Sequence, residues 1–112
     1  MSEKNSILNL CVLIGLSDYQ LENSETHEII KISKEMRVEF NVHEAFEEIS
    51  DKFREDFDSA CIFYLKEITT TKFRDLAIEC LTRVAFADGN YSDKEKSFIV
   101  LCNQEWGKKY FN

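Results

Sequence analysis

Proline is absent from this chain, and glycine occurs only three times. Strands joined by tight turns draw heavily on both residues, so their scarcity points to helices. No apolar run approaches the roughly 18 residues of a membrane span, so no direct membrane insertion is expected. The opening Met1-Ser2-Glu3-Lys4-Asn5-Ser6 leads into an apolar run of one helix with no small-residue cleavage site. A secretory signal is therefore not expected, and the reading is a cytoplasmic protein. No C-x-x-C pair occurs among Cys11, Cys61, Cys80 and Cys102, which excludes zinc-ribbon and thioredoxin-like sites. Each cysteine falls on an apolar stripe, where a reduced thiol acts as a small hydrophobe. The two histidines, His27 and His43, lack metal-site spacing and read as surface or boundary residues. A glycine-rich phosphate loop and a cationic substrate clamp are missing too, so the expectation is not an enzyme.

What is present is acid and apolar residues. The chain has 112 residues, one domain of ordinary size, and is 44% hydrophobic, enough for a single core. Its net charge is −7. The acidity is uneven: residues 1–56 carry 13 acids against 6 bases, and residues 57–112 carry 8 of each. Binding of nucleic acid needs clustered Lys and Arg, so none is expected. An acidic half suits cations or a basic protein surface.

Helical spacing sets the order of elements. Ile7, Leu10, Cys11 and Ile14 predict a first helix over 4–16, widened by Leu8, Leu13 and Leu16. A second helix starts near Ser24, with Glu25 in its first turn and a stripe of Ile29, Ile32, Ser33 and Met36. Asn41 caps a short third helix that turns Ala45, Phe46 and Ile49 inward and Glu44, Glu47, Glu48 and Asp51 outward. Asp56 or Asp58 opens a fourth, striped by Phe57, Cys61, Tyr64, Leu65 and Ile68 and ended by Thr69-Thr70-Thr71. The fifth carries Phe73, Leu76, Ala77, Cys80, Leu81 and Val84. After a turn at Asp88-Gly89-Asn90, Ser92 to Glu95 forms an S-x-x-E capping box. The sixth helix carries Phe98, Ile99, Leu101, Cys102 and Trp106 and stops at Gly107. Trp106, Phe98 and Phe73 read as core.

A shift of 70 residues overlays 8–38 on 78–108 without gaps. Asp18 meets Asp88, Glu25 meets Glu95, Ile29 meets Ile99, and Glu35 meets Glu105. Leu10, Cys11, Ile14, Leu21, Ile32 and Met36 meet Cys80, Leu81, Val84, Tyr91, Cys102 and Trp106. Two copies make a pseudo-twofold duplication, each copy a helix, an acidic loop and a helix, flanking the middle helices over 41–68. The whole chain, 1–112, reads as one domain, an all-α compact bundle.

Ala87-Asp88-Gly89-Asn90-Tyr91-Ser92-Asp93-Lys94-Glu95 resembles the motif of the TerB-like family, which includes the tellurite-resistance protein TerB. The first copy, Ser17 to Glu25, departs from it, with Ser17 and Tyr19 replacing the small residue and the glycine that flank the aspartate. The resemblance implies six to seven helices with internal twofold symmetry. It also implies acidic residues from two loops gathered on one surface, which here are Asp18, Glu25, Asp88 and Glu95.

Hard divalent cations take several oxygen ligands. Asp88, Asn90, a carbonyl near Tyr91, and Glu95 have ligand-like spacing outside the 12-residue EF-hand frame, and Asp18, Glu22 and Glu25 would complete a shared site. Local structure also accounts for part of this pattern: Glu95 by its capping box, Asp88 by the Asp-Gly turn. The expectation is a non-enzymatic domain binding calcium or magnesium through these loops, in a stress response like tellurite resistance. The alternative is a protein-interaction module whose acidic surface docks an unidentified basic partner, without metal.

Overall fold

The structure is a computed structural model that describes residues 2–16, 23–53, 56–87, 89 and 93–107; the side chains of Phe57, Lys94 and Glu95 lie outside the description. The described residues form six α-helices and no strand. The first, α1 (Glu3–Gly15), is the axis of the fold. Ser2 caps it, its hydroxyl oxygen accepting from the Asn5 amide at 3.1 Å. Every residue from Ser6 to Gly15 is buried. A helix apolar on all sides has to be surrounded, and α1 packs against α2 (Asn23–Glu35), α3 (Val42–Phe53), α4 (Phe57–Glu67) and α5 (Thr71–Ala85).

The remaining helices bury one stripe each. On α2, Ile29, Ile32 and Ser33 are buried, and Met36 lies just past the end. On α3, Val42, Ala45 and Ile49 point inward, and the Asn41 side chain caps the Glu44 amide at 3.0 Å. Phe46, expected inward, stands 38% exposed. It sits at the edge of the stripe, where no neighbouring helix covers it fully. Asp56 caps α4, accepting from the Ser59 amide, and this bond and the Ser59 hydroxyl hold its carboxyl below its usual range. Thr70 caps α5, which explains the interruption at the threonine triplet. The sixth helix, α6 (Asp93–Trp106), buries Ile99, Cys102 and Trp106 and packs on α4. Gly107, just past its end, takes φ +66°, the left-handed conformation that glycine adopts without strain.

The helix bounds that flank the two acidic loops keep the 70-residue offset. α1 ends at Gly15 and α5 at Ala85; α2 begins at Asn23 and α6 at Asp93. Leu10, Cys11, Ile14, Ile29, Ile32 and Met36 are buried, and so are their counterparts Cys80, Leu81, Val84, Ile99, Cys102 and Trp106. Packing partners differ between the ends: α2 packs on α1, α3 and α5, whereas α6 packs on α4.

One correspondence is exceptional. Arg37 holds φ +58° and overlays Gly107. The Arg37 amide donates to the Lys34 carbonyl at 3.1 Å and the Val38 amide to the Ser33 carbonyl at 3.0 Å. These two bonds are the Schellman closure of α2, whose left-handed position is normally glycine. A side chain at that position costs on the order of 1–2 kcal/mol.

All four cysteines are free and buried. Burial pushes the Cys11 thiol up, with Cys80 beside it adding to the effect, and pushes Cys80 up to about 12. Contact with Cys102 and burial raise Cys61. All four sulfurs are shielded by the core, so all four should resist a thiol-reactive disulfide reagent at pH 8 in the native protein. Four equivalents should react once denaturant is added; rapid native reaction of any cysteine would contradict its placement in the core.

Candidate functional site

Helix direction decides where the two acidic loops emerge. The Thr70 hydroxyl donates to a Glu3 carboxylate oxygen at 3.1 Å, so α1 and α5 start at the same end. They pack side by side, and their lengths are similar, 13 and 15 residues. They are therefore parallel, and Gly15 and Ala85 lie at a common far end. Lys4 donates to the Met36 carbonyl at 3.2 Å, tying the start of α1 to the end of α2. This pair is antiparallel, so α2 begins at that far end. The Trp106 indole donates to the Leu65 carbonyl at 3.1 Å and lies under Arg74, 5.6 Å from its ring centre, near the start of α5. Hence α6 runs back along the molecule, and it too begins at the far end.

Glu25 lies at this end, in the first turn of α2, and is buried, at 5% exposure. A buried carboxylate is unusual, because its charge must be compensated by hydrogen bonds or a counter-charge. Gly89 has φ +82° with nothing within 4 Å of the place a Cβ would take, and its amide donates to the Phe86 carbonyl at 3.0 Å. The glycine of the motif is thus favoured by backbone conformation rather than by lack of space. Asp18, Glu22, Asp88 and Asn90, and the side chain of Glu95, lie outside the described residues, as does Ser92 of the capping box. Among the described residues, no group of three His, Cys, Asp or Glu could hold a metal ion. His27 and His43 are both exposed.

Two features escape a reading of local sequence. One is a clamp between α5 and α2. The Arg83 guanidinium donates to Glu28 at 2.8 Å and forks onto both oxygens of Glu35 at 2.8 and 3.0 Å. These hydrogen bonds raise Arg83 further above its ordinary value and lower Glu35. The other is a cleft of about 680 Å³ between α2 and α3, lined by Leu16, Ile30, Phe40, Val42 and Phe46, with Asn23, Thr26, Asn41 and His43 as polar members. The 70-residue repeat offers a signal for neither, since Arg83 overlays Leu13 and α3 lies outside both copies.

Six helices among the described residues define an all-α domain. A family model described as Tellurite resistance protein TerB matches residues 4–104, and the chain belongs to the TerB family. No curated protein and no solved structure matches the chain. No helix among the described residues is long and apolar enough to cross a membrane.

Proposed function

We propose that this TerB domain is a non-catalytic, cytoplasmic binding module that takes up a divalent cation at the far end of the bundle. Asp18, Glu25, Asp88 and Glu95 are its acidic ligands, and Glu22 and Asn90 are further oxygen donors. The observation that carries the reading is the parallel course of α1 and α5, which brings both hairpin turns to one end, where the buried Glu25 already stands. The last turns of α1 and α5 also end there, and helix C-termini present carbonyl oxygens without intrahelical partners. Carboxylate, amide and carbonyl oxygens suit a hard cation such as calcium or magnesium, and the absence of His and Cys from the set disfavours a soft one. Membership of the TerB family supports a place in a tellurite-resistance-like stress response.

Calcium titration of chelator-treated protein tests this. Metal at a hundredfold excess over its Kd should stabilise the fold by about 2.7 kcal/mol, visible as a rise in Tm. Asp88→Asn and Asp18→Asn should each remove most of that rise while leaving the helical circular dichroism unchanged. No shift at millimolar calcium or magnesium would end the proposal.

A second reading has its own support. On α3, Glu44, Glu47, Glu48 and Asp51 are exposed and together form an acidic surface, and the half-exposed Phe46 on the same helix lines the α2–α3 cleft. An acidic helix surface suits a basic segment of a partner protein, with affinity that falls as salt rises.

A further inference from the structure

We propose that the groove between the end of α2 and the outer face of α5 binds a small organic anion, a carboxylate with an apolar body. The groove holds about 490 Å³, within the range of small-molecule sites. Its floor is apolar, with Ile32, Met36, Phe73 and Leu76. Its rim carries Lys4, Arg37 and Lys72, a local concentration of positive charge on a chain of net charge −7. Arg83 and Glu35 also line it, but Arg83 is already shared between Glu35 and Glu28 and is not available to a ligand. Apart from that clamp, the lining carries three cations against Glu79, and of these the Lys4 ammonium also donates to the Met36 carbonyl. Among the described residues, Arg37 and Lys72 make no ion pair.

The second observation is the backbone of Arg37. It stands in the left-handed position that closes α2, where the corresponding residue at the end of α6 is Gly107. Glycine would relieve the strain, so folding does not account for arginine here. Strained non-glycine residues gather at functional sites, and this one brings a guanidinium to the rim of the groove. A guanidinium and an ammonium facing one opening recognise a carboxylate by charge-assisted hydrogen bonds, and the floor takes an alkyl or aryl body.

Decanoate is a suitable probe, below its micelle threshold, with decylammonium and decanol as controls, read by calorimetry and by amide NMR shifts on the full chain. Decanoate should bind in preference to both controls and shift amides around Met36, Leu76 and Cys80. Arg37→Gln, which keeps the strain and removes the charge, should weaken decanoate at least tenfold, whereas Arg37→Lys should retain most of the affinity. Arg37→Gly should raise Tm by a few degrees and still lose binding, so that loss of affinity cannot come from unfolding. A chelator should change none of this, which separates the outcome from cation binding at the far end. Equal binding of decylammonium, unchanged affinity in Arg37→Gln, or shifts centred on Phe46 would overturn the proposal.

Discussion

Trp106→Ala is expected to destabilise the protein by about 3–5 kcal/mol, a large share of the roughly 5–15 kcal/mol that holds a domain folded. Trp106 is the only tryptophan and is 6% exposed. Its ring fills the contact between α6 and α4, and its indole N–H serves the Leu65 carbonyl in the last turn of α4. No following turn donates amides to these carbonyls, so other donors serve them: the Ile68 amide at 3.2 Å and the indole both donate to Leu65, and the Arg74 side chain donates to Ile68 at 3.0 Å. Trp106→Phe separates the two contributions. It keeps most of the apolar volume and removes one of the two hydrogen bonds to the Leu65 carbonyl, which still accepts from the Ile68 amide at 3.2 Å, so about 0.5–1.5 kcal/mol is expected. Both variants are measured by urea denaturation followed by circular dichroism, since tryptophan emission is lost with the residue. If Trp106→Phe matched the wild type, the bond to Leu65 would contribute nothing to stability.

Leu8→Ala should cost about 2–5 kcal/mol through lost burial and the cavity left behind. Leu8 is fully buried on α1, the helix enclosed on all sides, so surrounding side chains cannot settle into the space without moving several elements. Val100→Ala on the exposed face of α6, where Val100 is 52% exposed, should stay within about 0.5 kcal/mol and serves as the control. Equal effects at the two positions would contradict the central place of α1.

The sequence made most of the secondary structure legible because its signals are local. Asn41, Asp56 and the threonine triplet mark helix starts by side-chain bonds to amides three residues on, and each does so in the structure. The stripe on α5 places Ala77, Cys80, Leu81 and Val84 in the core by helical periodicity alone. Phe46 departs from its stripe for a related reason. A stripe read from spacing has no width of its own; which edge residues are covered depends on the neighbouring helix. The acidic loops were visible as positions, Asp18 and Glu25 repeating at Asp88 and Glu95, but their spatial relation was not.

By itself, then, the sequence determined the all-helical class, the helix order, the core stripes, the 70-residue correspondence between its ends and the TerB family. Local spacing and composition carry all of these. The tertiary structure alone decided that α1 and α5 run parallel, that Glu25 is buried where the two hairpins turn, and that Arg83 clamps α5 to α2. It alone decided, too, that Arg37 faces the groove over Phe73 and Leu76. Those outcomes depend on contacts such as Thr70 to Glu3 and Arg83 to Glu28, between residues 67 and 55 positions apart. No window of helical periodicity reaches that far, and only packing α1 on every side brings such residues together.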